Sequence, residues 1–256
     1  MNYRSERVDV AKRIVAEKLG KLEDVYLAVI TGSVGDPYGH VTNKSDLDMT
    51  VWATNPTYLN NSPSIDWSPY TFVKATRRTG NVNTIDVDSC KADISFRLLT
   101  PEQMREDLAR LVQAKNVDRK ALDSFMYEFV ESQPCIDKLD LCKYGREATT
   151  KAFSDYRGQL ASGVLNGFDA YKGNAEEAVR AMTYVLCCAR NLPRCYDSVM
   201  IRNLDALWEH LGINRNRVDS CATSTEQAAS LVREMYEEAR QKLPELNGLR
   251  VLEMRR

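Results

Sequence analysis

The chain has 256 residues, 43% of them hydrophobic and 28% charged; this excludes a disordered or fibrous chain and leaves one large domain or two small ones. Its 35 basic and 36 acidic residues leave a net charge of −1, so no general positive charge marks the surface for nucleic acid. No apolar run of about 18 residues suggests a membrane helix and residues 1–12 lack the apolar stretch of a secretory signal, so a cytoplasmic protein without a membrane partner is expected. The seven cysteines form no Cys-x-x-Cys pair and read as reduced thiols.

In chain order, residues 5–22 are predicted helical, because Val8, Val10, Ala11, Ile14, Val15 and Leu19 fall mostly on one face and Gly20 can close the helix. The unbroken apolar run Val25–Thr31 suits a buried strand, which Gly32 ends. Residues 34–45, with Gly35, Pro37, Gly39 and Asn43, read as a loop. Residues 46–53 return to strand chemistry, and residues 54–68 form a loop rich in Asn and Pro. Residues 70–76 and 82–87 read as a hairpin about Arg78-Thr79-Gly80-Asn81.

Residues 92–99 alternate, with Ala92, Ile94, Phe96 and Leu98 on one face and Asp93, Ser95 and Arg97 on the other. Thr100-Pro101-Glu102-Gln103 then combines an N-cap threonine, proline at the first helical position and a capping-box glutamine. Further helices are predicted over residues 119–129, 145–165, 174–190, 201–211 and 224–242, with Ala178, Met182, Val185, Leu186 and Ala189 forming a core stripe. The expected class is α+β: a mixed sheet with flanking helices in residues 1–115, followed by a helical domain in residues 116–256.

The stretch that points to chemistry is Gly32-Ser33 after a buried strand, followed by a turn-rich loop and Ser45-Asp46-Leu47-Asp48. Residues two apart on a strand project from the same face, with Cα atoms roughly 6–7 Å apart. Asp46 and Asp48 therefore point together and repel unless a cation lies between them. Oxygen ligands of this kind suit Mg²⁺ or Mn²⁺. Gly32 permits close approach of backbone to a ligand, and the Ser33 hydroxyl adds a donor for a phosphate oxygen. Ser45 serves either as a turn-capping residue or as a nucleotide contact.

Gly-Ser, a polar loop and Asp-x-Asp within a strand together resemble the signature of the DNA polymerase β nucleotidyltransferase superfamily. The resemblance implies a third carboxylate on a later, neighbouring strand; Asp93 fits best, with Asp86 in Ile85-Asp86-Val87-Asp88 second. It implies that Gly32 and Ser33 contact the nucleotide phosphates, with Ser45 a further candidate contact, and that Asp46, Asp48 and Asp93 bind Mg²⁺ or Mn²⁺. Asp93 would also be a general base for the attacking hydroxyl. The substrate implied is an NTP whose NMP passes to an acceptor hydroxyl, with the helical domain completing the cleft.

The strand of Asp93 running into a helix, with the stretch Lys151-Ala152-Phe153-Ser154-Asp155-Tyr156-Arg157-Gly158-Gln159-Leu160, is loosely similar to the stand-alone nucleotidyltransferases associated with RNA repair, some of them phage-encoded. An RNA end is then the implied acceptor. Where that subgroup carries a His and an Arg in its later helix, this chain has Thr183 and Leu186. A small molecule of aminoglycoside type or a protein side chain is the alternative acceptor. A reading of another class is a nucleotide- or partner-binding module of the same fold without turnover, as in an antitoxin. Lys151, Arg157 and Arg180 are further candidates to meet a triphosphate.

Overall fold

In the computed structural model, which describes residues 2–36, 39–55, 65–77, 81–114, 118–171, 174–193 and 204–249, the architecture is α+β with a mixed six-stranded sheet. Helix α1 (Tyr3–Glu17) starts at Asn2, whose side chain accepts a hydrogen bond from the Ser5 N–H. Strand β1 (Val25–Thr31) leads into the short helical turn α2 (Gly32–Gly35), and β2 (Leu47–Ala53) follows a loop. Strands β3 (Thr71–Arg77), β4 (Asn81–Val87) and β5 (Cys90–Leu98) come next. Helix α3 (Pro101–Gln113) opens with both hydrogen bonds of the Thr100–Gln103 capping box. Helix α4 (Arg119–Phe125) runs into a π-helical turn, Met126–Val130, and β6 (Gln133–Asp137) closes the strand set.

The strand order is β3-β4-β5-β2-β1-β6. β2 and β5 run parallel, and the other neighbouring pairs are antiparallel. The predicted hairpin is present as the β3–β4 pair; residues 78–80 of its turn, and residues 56–64 of the preceding loop, lie outside the described residues.

β1 is buried along its whole length because both sheet faces are covered there. Ala28 and Ile30 join Val10, Ala11 and Ile14 of α1 in one apolar cluster, together with Leu47, Met49, Ala92, Ile94 and Phe96. Leu27 and Val29 join Trp52, Met104, Leu108 and Phe129 in a second cluster on the opposite face. Each buried Val, Leu, Ile, Phe or Met side chain among them contributes roughly 1.5–3 kcal/mol by leaving water. The Trp52 and Phe129 rings stack at 5.9 Å. On this face β2 and β5 carry the register partners Asp48 and Asp93, ahead of Trp52.

Two compact units emerge, Met1–Ala114 with Ser124–Thr149 and Lys115–Asp123 with Thr150–Arg256. The first reaches past the boundary expected at residue 115, because β6 pairs with β1. β6 was not anticipated from the sequence: Pro134 interrupts its pattern, and proline is tolerated there because β6 is an edge strand. Asp137 then caps helix α5 (Leu141–Asn166), its carboxylate accepting from the N–H groups of Leu141 and Cys142 at 2.7 and 2.8 Å.

The second unit is helical. Its described elements include α6 (Ala175–Ala189), α7 (Leu204–His210), α8 (Arg215–Cys221) and α9 (Thr225–Lys242). Asn174 and Ser224 cap α6 and α9 as N-cap residues. Apart from Arg180, every residue of α6 from Ala178 to Ala189 is buried, so α6 is the central helix rather than one with a single apolar stripe. The Arg190 guanidinium donates to both carboxylate oxygens of Glu238 at 2.7 and 2.9 Å, tying the end of α6 to α9. Among the described residues, no helix is long and apolar enough to cross a membrane.

Candidate active site

The polar end of the sheet is built from the last residue of β1 and the first residues of β2 and β5. Gly32 follows β1 with φ +65°, a left-handed conformation that costs other residues roughly 1–2 kcal/mol. Space forbids a side chain there as well. A Cβ on Gly32 would stand 2.2 Å from Asp48 Oδ2. The bare backbone of Gly32 thus shapes one wall of the position occupied by the Asp48 carboxylate.

Asp48 pairs with Thr31 on one side and with Asp93 on the other. Because β2 and β5 are parallel, their N-terminal ends meet at the same edge, and the two aspartates lie opposite each other, about 4.8 Å apart across the strands. Thr84, the partner of Asp93 on β4, is 1% exposed and donates its hydroxyl hydrogen to Asp93 Oδ1 at 2.6 Å. Asp86 is exposed and pairs instead with Lys91 and Thr71. It is therefore on a strand one removed from β5 and two from Asp48, whereas Asp93 is the direct neighbour.

Asp46 precedes β2, and Lys91 reaches it. The Lys91 ammonium lies 3.2 Å from Asp46 Oδ2 and 3.6 Å from Asp93 Oδ2. The hydrogen bond to Asp46 is the main cause that holds this ammonium above its ordinary pKa. Among the described residues, no group of three His, Cys, Asp or Glu side chains is gathered closely enough to hold a metal ion. Asp48 and Asp93 are neighbours, and Asp46 is drawn to Lys91.

The loop between α2 and β2 is held from below by two arginines of α1. Arg4 donates to the carbonyls of Val34, Asp36 and Gly39 at 2.6–2.7 Å. Arg7, 8% exposed, donates to the carbonyls of Asn43 and Ser45 at 3.0 Å. Neither arginine is singled out by the sequence pattern. They sit three apart and so share a helix face, the only local hint they give. Arg7 fixes the backbone immediately before Asp46.

Ser33 is half-buried in α2. The Ser45 hydroxyl accepts from the Thr42 N–H at 2.9 Å, and the Ser45 N–H donates to the Thr42 carbonyl. Ser45 thus takes the turn-capping position, one of its two expected places.

The chemistry of two carboxylates in register on adjacent strands suits a hard divalent cation, whereas Asp46 faces Lys91 and the Asp48 carboxylate fills the space over Gly32. The helical candidates are engaged within their own unit. Lys151 pairs with Asp155 at 2.7 Å, Arg157 donates to the Ala189 carbonyl and Arg180 pairs with Glu176. Thr183 is fully buried, donates to the Val179 carbonyl and accepts from the Trp208 indole N–H at 2.9 Å, a packing role within the helical core. Comparison with protein-family models and with curated proteins returns no match to this chain.

Proposed function

We propose that this protein is a divalent-metal-dependent nucleotidyltransferase with a polymerase β-like core, moving an NMP from an NTP to an acceptor hydroxyl. The observation that carries the reading is the in-register placement of Asp48 and Asp93 beside the side-chain-free Gly32. Asp48 and Asp93, with Asp46, would hold Mg²⁺ or Mn²⁺, which when bound neutralises charge on the phosphates.

The remaining chemistry falls to the chain's own groups. Gly32 and Ser33 form the phosphate edge, where the backbone can approach closely and the serine hydroxyl can donate. Thr84 fixes one oxygen of Asp93, so that this carboxylate can take the proton of the acceptor hydroxyl. The acceptor oxygen then bonds to the α-phosphorus, the bond from that phosphorus to the bridging oxygen breaks, and pyrophosphate leaves.

An RNA end is the acceptor we favour, on the sequence resemblance; an aminoglycoside-type small molecule or a protein side chain is the second choice. Incubation with α-labelled NTPs, Mg²⁺ and a panel of RNA, protein and aminoglycoside acceptors tests the reading. Label should appear on one acceptor class and be lost in Asp48→Asn. If no acceptor is labelled, and Asp48→Asn changes neither metal nor nucleotide affinity, the catalytic reading fails. A protein that binds nucleotide through these residues without turnover would instead be a binding module.

A further inference from the structure

Lys91 is two residues before Asp93 on the same face of β5, with its ammonium between Asp46 and Asp93. Asp48 and Asp93 are register partners at this end of the sheet and Asp46 stands two residues before Asp48, and like charges brought near each other destabilise the fold unless they are compensated. Lys91 supplies that compensation from within the chain. Its side chain is 40% exposed, against 46% for Asp46 and 28% for Asp93, so both ion pairs face solvent and are weak enough to exchange. A divalent cation held by Asp48, Asp93 and Asp46 would need the carboxylate oxygens of Asp93 and Asp46 that Lys91 now faces.

We infer that Lys91 is a resident counter-cation that competes with the divalent metal for Asp46 and Asp93, and so sets how tightly the metal is held. This rests on the metal-site reading above. When metal is absent, Lys91 keeps the carboxylates together without mutual repulsion. When metal binds, the ammonium must withdraw from both, and the cost of that withdrawal is subtracted from the metal's affinity. A metal-dependent enzyme built this way holds its cation loosely until a second ligand, such as the phosphates of a nucleotide, adds to the attraction.

The test is a Mn²⁺ titration of the full chain without nucleotide, with free Mn²⁺ followed by electron paramagnetic resonance. Wild type, Lys91→Gln, Lys91→Arg and Asp48→Asn are compared. Both competing pairs face solvent and are weak, so removing them should tighten Mn²⁺ binding by about 3- to 10-fold in Lys91→Gln. Lys91→Arg keeps the charge and should bind no more tightly than wild type. Thermal unfolding in EDTA should show Lys91→Gln below wild type, with a larger gain on saturation by Mn²⁺. If Asp48→Asn abolishes Mn²⁺ binding but Lys91→Gln binds equally or more weakly than wild type, the counter-cation role is wrong while the metal site stands. If neither wild type nor Lys91→Gln binds Mn²⁺, the metal site itself is wrong and this inference falls with it.

Discussion

Asp48 on β2 and Asp93 on β5 are register partners across a parallel strand pair, although 45 positions separate them in the chain. A parallel pair needs a crossover connection, and here the intervening chain returns through the β3–β4 hairpin. The consequence is that two strands begin at the same edge, each carrying an aspartate there, next to the glycine that ends β1.

Gly32→Ala should be severe for so small a change. It places a Cβ 2.2 Å from Asp48 Oδ2 at φ +65°. Backbone strain alone costs about 1–2 kcal/mol, and the carboxylate must also move. Urea denaturation should show at least that loss, with metal-dependent nucleotide binding reduced further than stability accounts for. A variant with wild-type stability and wild-type binding would show that the glycine cradle has no role.

Thr84→Val tests the positioning of Asp93. The hydroxyl is buried and donates to Asp93 Oδ1. Its loss should cost about 1 kcal/mol of stability and reduce metal affinity about 10-fold, the usual effect of removing a group that orients a metal ligand. Thr84→Ser, which keeps the hydroxyl, should recover most of that affinity. Equal affinity in Thr84→Val and wild type would remove Thr84 from the site.

Arg7→Met should loosen the loop that delivers Asp46. The guanidinium satisfies the carbonyls of Asn43 and Ser45, and hydrogen bonds from a charged donor contribute about 1.5–3 kcal/mol. A loss of that order in urea denaturation is expected, with faster proteolytic cleavage within residues 39–46. A cleavage rate equal to that of wild type would contradict the tether.

Glu128 gives the fold a pH dependence. Its side chain is 7% exposed and faces Arg97 at 3.2 Å. Burial raises its pKa to about 7 from an ordinary value of 4.5, more than Arg97 lowers it. The folded state therefore holds this proton more tightly than the unfolded chain does. The stability it contributes is fully present below about pH 4.5 and is lost as the pH rises through about 7, by roughly 3 kcal/mol at most. Glu128→Gln removes the titration, so its stability relative to wild type should increase across that window. A constant difference between the two from pH 5 to pH 8 would refute it.

Much of the framework was legible from local pattern. The all-apolar β1, the Thr100 capping box and the alternation of β5 each state their structure within a few residues. Asp93 is preferred to Asp86 in the sequence because it begins an alternating strand that leads directly into a helix; the register places Asp93 opposite Asp48 and Asp86 opposite Lys91. What escaped depends on contacts far apart in the chain. β6 is a strand because β1 offers it an edge, and its own five residues, with Pro134, show no alternation. Helix α8 is seven polar-rich residues with only Val218 and Cys221 buried, too short to display a period. Arg4, Arg7, Thr84 and Lys91 look like ordinary polar residues until the sheet brings their partners to them.

The most direct test of the central claim is calorimetric titration of a non-hydrolysable ATP analogue with Mg²⁺ into wild type, Asp93→Asn and Asp86→Asn. If Asp48 and Asp93 form the metal edge, Asp93→Asn should lose more than about 10-fold in metal-dependent affinity, since removing a ligand costs at least as much as removing a group that orients one. Asp86→Asn should stay within about twofold of wild type, as expected for an exposed residue on β4, two strands from Asp48. The account is contradicted if wild type shows no metal-dependent binding, or if Asp86→Asn loses affinity while Asp93→Asn keeps it.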